Sequence, residues 1–301
     1  MEAHWQLFHY RKQGSHWHNF WCRWTADGAL SEKFRAERVF TPLPGENGCT
    51  QHIVYHYEDE RGMVTEGPLN GPWTITEMEC SKSDGIVHPA RKEMTTLCLP
   101  GMHSAWCWRD ASAGQPCAVE VFLHYKSLRM SAGIVHRPDG KLKQVALIRE
   151  DCSGGGSDWP RVFKSDGWTE NTTARVLAGA EQCLSEMGVS VTQPGSGNVT
   201  FADLKQEGLT GGESALVALP DWGASLLGSA GPKYAFVLCG DSTIDRVVLV
   251  GLLERQAGEP FACSAIWWPS GSSELLTIEV WYDSSGAISS VRQVSFPVAA
   301  K

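Results

Sequence analysis

Histidine is the residue type whose placement first suggests chemistry. All ten histidines fall between His4 and His136, and none follows. His16 and His18 share one strand face, and His52 and His56 another, because side chains along a strand alternate with period two. Imidazoles converging inside a barrel could ligate zinc, iron or a haem. A metal-binding cupin would place a carboxylate four residues after the His-x-His, but Cys22 stands there. The faces bearing these histidines are also not the most apolar ones. The sequence therefore predicts hydrogen-bonded or solvent-facing histidines, with no metal and no cofactor.

Aromatic residues form the second set. Trp17, Trp21, Trp24, Phe40, Tyr55, Tyr57, Trp73 and Phe122 could line a pocket for a planar conjugated ligand, since small-molecule sites are mostly apolar with a few placed polar groups. Arg38, Gln51, Glu120 and Arg129 could supply those groups. The expected ligand-binding residues are Trp17, Trp21, Trp24, Arg38, Gln51, Tyr55, Trp73, Phe122 and Arg129. The alternative is that the same side chains fill a closed barrel and the arginines form structural pairs. Catalysis on an apolar ligand would need one or two acid/base groups in a dry chamber. Glu120, Glu150, Asp151 and Tyr55 are of the required types, and a buried glutamate would have a raised pKa and could donate a proton. The sequence has no G-x-S-x-G elbow, no H-E-x-x-H, no phosphate-binding loop and no dinucleotide fingerprint.

These residues must be positioned by strands. Short apolar or alternating runs recur at Gln51–Tyr57, Val119–Tyr125, Met130–Val135, Leu142–Arg149, Tyr234–Leu238, Arg246–Leu253, Leu275–Tyr282 and Ala287–Val294. Turn signals such as Asp27-Gly28, Pro138-Asp139-Gly140 and Ser284-Ser285-Gly286 separate them. Helical signal is confined to Glu2–Gln13, ended by Gly14, and Thr172–Met187, ended by Gly188. The chain reads as all-β. A Gly-rich stretch, Ser153–Ser157, divides its 301 residues into 1–152 and 153–301. Each half closes with a hairpin, and Leu97-Cys98-Leu99-Pro100 is echoed by Val217-Ala218-Leu219-Pro220. Both features suggest a duplicated unit. Antiparallel strands of this kind stack as a sandwich or close into a barrel, and closure removes exposed edges.

The first half carries 17 basic and 18 acidic residues and the second 9 and 16. Neither offers the positive field that nucleic acid requires. The acidic second half could instead meet a protein partner. The ten cysteines lack paired spacing and read as reduced thiols. No run suits a membrane-spanning helix or a secretory signal. The expected location is the cytoplasm, or a plastid stroma after removal of a transit peptide.

Gly14-Ser15-His16-Trp17 after a short helix, with Arg149 ending the last strand of the first half, resembles the lipocalin pattern. There, a tryptophan early in the first strand lies under an arginine from the last. The spacing differs from Gly-x-Trp by one residue. More specifically, residues 1–152 resemble a cyanobacterial and algal family of two-barrel, lipocalin-like proteins known as a domain of unknown function. The resemblance lies in His4-Trp5-Gln6-Leu7-Phe8, Trp17-x-x-x-Trp21-x-x-Trp24 with Asp27-Gly28, and Arg38-Val39-Phe40. It continues through Gln51-His52-Ile53-Val54-Tyr55, Gly71-Pro72-Trp73, Val119-Glu120-Val121-Phe122, Leu128-Arg129-Met130-Ser131 and Ile148-Arg149-Glu150-Asp151. It implies two tandem lipocalin-like antiparallel β-barrels, related by fold to lyases that attach bilins. The expected function is binding of a bilin or other tetrapyrrole, a carotenoid or a fatty acid. The rivals are a cofactor-free lyase, isomerase or cyclase acting on such a ligand, and an assembly protein with filled barrels.

Overall fold

A computed structural model describes residues 2–8, 14–45, 47–58, 64–67, 69–153, 173–177, 197–203, 215–217, 234–240 and 247–298. The first half contains strands β1 (Ser15–Thr25), β2 (Leu30–Pro42), β3 (Gly48–Glu58), β4 (Val64–Glu66), β5 (Asn70–Thr76) and β6 (Ser81–Lys82). These are followed by β7 (Gly85–His88), β8 (Arg91–Cys98), β9 (Ser104–Trp108), β10 (Cys117–Tyr125), β11 (Leu128–His136) and β12 (Leu142–Asp151). Nearly all neighbours in sequence are neighbours in space, and β1 pairs with both β2 and β12. This antiparallel meander is a nearly closed barrel. Among the described residues, the strand order ends between the β4/β5 side and the β6/β7 side. Side chains span this opening: the Trp73 ring meets His88 edge-on at 4.9 Å, and His88 lies 6.0 Å from Trp106.

Period two decides the contents of the barrel. On β1, Trp17, Asn19, Trp21 and Arg23 share one face and His18, Phe20, Cys22 and Trp24 the other. Both are covered, so the strand is buried almost throughout. Helix α1 (Glu2–Leu7) closes one end. Its Trp5 and the following Phe8 pack with Trp17, Phe40, Ile75 and Ile86. The Cys98 N–H donates to His4 Nδ1 at 3.1 Å, which fixes the helix against β8. Burial holds the His4 pKa down at about 4, so the imidazole is the neutral acceptor this bond requires.

The second half forms one antiparallel sheet of eight strands: β13 (Thr173–Leu177), β14 (Gly197–Asp203), β15 (Ala215–Val217), β16 (Tyr234–Gly240), β17 (Val247–Leu252), β18 (Phe261–Trp267), β19 (Glu274–Tyr282) and β20 (Ile288–Pro297). Thr173–Leu177 was expected to be helical but is a strand paired with Tyr234–Gly240. Thr-Ala-Arg-Val-Leu suits a strand locally, and cross-strand pairing overrides the weak helical propensity of this stretch. Residues 178–187 and 154–157, which held the rest of that helix and most of the expected linker, lie outside the described residues. So do residues 9–13, the end of the expected first helix.

The two halves share a core. Phe20, Cys22, Trp24, Val121, Leu123, Met130, Ala132, Ile134 and Leu147 on the outside of the barrel join Val247–Val250, Ile266, Trp267, Ile278 and Val280 in a single buried cluster. β17 and β18 are buried on both faces and so read as continuous apolar runs without alternation. Polar ties cross the junction. Arg255 donates to the Ala111 and Gln115 carbonyls at 2.7 and 2.8 Å, His136 Nε2 to the Leu252 carbonyl at 2.8 Å, and the Tyr282 hydroxyl to the Trp108 carbonyl at 2.8 Å. Among the described residues, no helix is long and apolar enough to cross a membrane.

Candidate functional site

Inside the barrel is a cavity of about 380 Å³. Its apolar wall includes Trp21, Phe40, Ile53, Tyr55, Trp73, Met94, Trp106, Phe122 and Ile148, and its polar lining includes Arg23, Arg38, Gln51, Asn70, Arg91, Glu120 and Gln144. The register explains this set. Trp106, Glu120, Gly133, Ala146 and Arg23 are successive pairing partners across five strands, as are Phe122, Ser131, Ile148, Trp21 and Phe34. Gly133 and Ala146 bring no bulk to the first row, which keeps space open beside Trp106.

Beneath the cavity lies a buried ionic cluster. Glu150 is completely buried; its Oε1 is 3.2 Å from Arg38 Nη1, and its Oε2 accepts from Arg129 Nε. Asn19, with its amide nitrogen turned toward the acid, donates to Glu150 Oε1 at 3.0 Å. The Arg129 guanidinium lies 4.4 Å over the Trp17 ring and 4.9 Å over that of Phe122, and Arg38 lies 5.7 Å over the latter. A charge taken from water into a protein needs such pairing and ring contacts to offset the cost of desolvation.

The arginine over the first-strand tryptophan is therefore Arg129 of β11, and not Arg149 of β12. Arg149 pairs with Met130 and Phe20, which belong to the outer cluster, so it stands on the other side of the sheet. One position along a strand exchanges inside for outside.

Glu120 accepts a hydrogen bond from Ser131 Oγ. Burial raises its pKa, opposed first by the charge of Arg38. Burial likewise raises the pKa of Tyr55. The cavity thus holds a carboxyl group whose pKa is raised by burial, close to a guanidinium. Two N–H groups of cavity-lining residues, Arg38 Nε and Trp21 Nε1, are buried without an acceptor among the described residues. Such donors favour a ligand that brings an oxygen.

Of the residues read from the sequence, Trp21, Arg38, Gln51, Tyr55, Trp73, Phe122 and Glu120 line the cavity. Trp17, Arg129 and Glu150 lie in the layer that supports it. Trp24 points away, into the core shared with the second sheet, because its even position on β1 opposes that of Trp17 and Trp21. Asp151 pairs with His18 on the outer side. Trp106, His88, Met94, Arg91 and Arg23 were not anticipated. Their strands are short or irregular, and only the register shows that Trp106 faces Glu120.

The chain matches the family model for the N-terminal domain of unknown function DUF3598 over residues 1–155. A solved structure of a DUF3598 protein of unknown function from Nostoc punctiforme aligns over 99% of this chain and 100% of that one, with 13% identity and a TM-score of 0.60, which shows a shared fold. The tesB protein of Mycobacterium avium subsp. paratuberculosis (12% identity, covering 65% of this chain and 77% of that one) aligns with a TM-score of 0.13. A hot dog fold protein of Alicyclobacillus acidocaldarius (10% identity, covering 86% and 95%) also gives 0.13. No curated protein matches. With half the sequence matched by the family model and the fold shared along its length, the chain belongs to the DUF3598 family.

Proposed function

We propose that the first barrel binds one small amphipathic molecule, its apolar body against the tryptophans and an anionic oxygen toward Arg38. The observation that carries this reading is an open aromatic chamber whose lining includes two buried N–H donors with no acceptor among the described residues. Its volume lies in the range of small-molecule sites, roughly 300–1,000 Å³. The guanidiniums of Arg38 and Arg129 both contact Glu150, and burial raises the pKa of Glu120, which favours an incoming carboxylate at Arg38. Among the lipocalin-type ligands, a fatty acid or a bilin with its propionates fits better than a carotenoid, which lacks an anion. Titrating the full chain with palmitate, biliverdin and β-carotene, read by quenching of tryptophan fluorescence, tests this. Saturable 1:1 binding of palmitate or biliverdin, tighter than that of β-carotene, is expected. Failure of both acids to bind, or preference for the carotene, overturns the reading.

A second reading rests on Glu120. A cavity carboxyl whose pKa is raised by burial is a candidate acid for isomerising or eliminating chemistry on the bound molecule. Conversion of a bound ligand by the wild type, lost in Glu120→Gln while binding persists, would favour a cofactor-free lyase or isomerase. Equal conversion by both proteins would exclude this role for Glu120.

A further inference from the structure

We infer that the outer face of β1 and β2 carries a binding site for one divalent transition metal, best suited to Zn(II), with His16, His18 and Glu37 as ligands. The site lies on the opposite side of the sheet from the cavity and does not depend on the function proposed for it. Glu37 is the direct cross-strand partner of His18 and pairs with Val54 on β3. His16 and His56 flank it diagonally, one from each neighbouring strand.

One donor atom from each of His16, His18 and Glu37 lies within 4.8 Å of the others. His16 Nε2 is 2.6 Å from Glu37 Oε2, and the His16 and His18 rings stack at 4.7 Å between centroids. Zinc bonds of about 2.0–2.2 Å put tetrahedral ligand atoms roughly 3.3–3.5 Å apart. Small side-chain rotations therefore bring the three donors to coordination distance, with the fourth position left to water. His56 Nε2 lies 3.0 Å from Glu37 Oε1, the other carboxylate oxygen. It would orient the ligating carboxylate, as outer-shell partners of metal ligands commonly do.

The remaining groups on this face are mixed in charge. Asp151 pairs with His18 from β12, His52 pairs with Val39 from β3, and Arg35 and Arg149 stand one row away at Phe20. Imidazole nitrogens with one carboxylate and no thiolate select zinc or its neighbours over calcium or magnesium. The His-x-His spacing was visible in the sequence. Its carboxylate arrives from the next strand, which a search along a single strand misses.

The test is calorimetric titration of tag-free, chelator-treated full chain with ZnCl2 near neutral pH, with CoCl2 as a spectroscopic substitute. One equivalent should bind, Co(II) should give visible bands of nitrogen and oxygen ligation, and zinc should raise the melting temperature. His16→Ala should weaken binding more than about a hundredfold, and His56→Ala about 10–100-fold, as expected for an outer-shell partner. His16, Glu37 and His56 are all partly exposed, so their variants should fold. Should His16→Ala fail to fold, Glu37→Gln keeps the shape of the side chain and should also lose binding. Absence of saturable binding, or binding that survives both His16→Ala and Glu37→Gln, overturns the inference.

Discussion

Replacing Glu150 with glutamine removes a carboxylate in contact with two buried guanidiniums, those of Arg38 and Arg129. At 3.2 Å from Arg38 Nη1, and with an effective dielectric constant of about 20, the gross attraction to that one charge is about 5 kcal/mol. Arg129 adds a second attraction, and the desolvation of all three groups opposes both. Breaking a buried pair by removing one partner costs about 3–5 kcal/mol, because the other charge stays buried. Glu150→Gln keeps the volume and one acceptor, so the loss measures charge and not packing. At roughly 2–4 °C per kcal/mol for a cooperative unit of this size, the melting temperature should fall by about 6–20 °C. Urea unfolding followed by circular dichroism would give the free energy directly. Adding Arg129→Met to Glu150→Gln should recover part of the loss, because it removes one of the two buried charges that Glu150 pairs. A single-variant loss below about 1 kcal/mol, or strictly additive losses in the double variant, would refute the view of this cluster as a paired buried network. The same variant should bind palmitate at least as tightly as the wild type, since Arg38 then lacks its internal carboxylate.

Burial holds the pKa of His4, His103 and His136 at about 4, against 6.5 in an open chain. Their contribution to stability is complete above pH 6.5 and is lost as pH falls toward 4, by up to about 1.4 kcal/mol per pH unit for each histidine. Urea midpoints should fall already between pH 6.5 and 5.5; a flat profile there would contradict this. Glu120 has the opposite sign, because burial raises its pKa: the stability of its neutral form is present at low pH and lost as pH rises through the raised value. Glu120→Gln should therefore gain on the wild type as pH climbs from the ordinary carboxylate range, about 4, to neutrality in thermal melts, and a constant deficit would speak against the shift. Arg255→Met strands two carbonyls at the junction of the halves and should cost about 3 kcal/mol. Gly140→Ala places a methyl 2.5 Å from the Arg255 carbonyl oxygen at a φ of +85° and should cost about 2–3 kcal/mol. Both should shift a single unfolding transition in calorimetry, since the halves share a core; a separate transition of one half would contradict that coupling.

The strands were legible because their cause is local. Val119–Tyr125 and Leu142–Arg149 combine β-favouring residues with turn signals at their ends, and both are strands. The inward face of β1 was partly legible, because Trp17 and Trp21 share parity and Arg38 pairs with Trp17. What failed depends on pairing between distant segments. Trp24 looks aromatic and early, but its parity sends it into a core whose other side, Val247–Val250, is far along the chain. Arg129 and Arg149 are equivalent by composition, and only the register of β11 against β12 places the first inside and the second outside. The same holds for Glu37, whose position across from His18 follows from the β1–β2 register. Thr173–Leu177 became a strand because the edge of β16 was there to pair with it.

The claim that the barrel interior is the binding site can be tested by filling it. Gly133 lines the cavity, and a Cβ added there would meet nothing closer than 3.6 Å, so a larger side chain can enter the open space. Palmitate titration of the wild type and Gly133→Leu, with melting temperatures recorded for both, is the most direct measurement. The account predicts an unchanged or higher melting temperature for Gly133→Leu, with affinity reduced at least about tenfold. Equal affinity in a folded Gly133→Leu protein would place the ligand elsewhere and contradict the account.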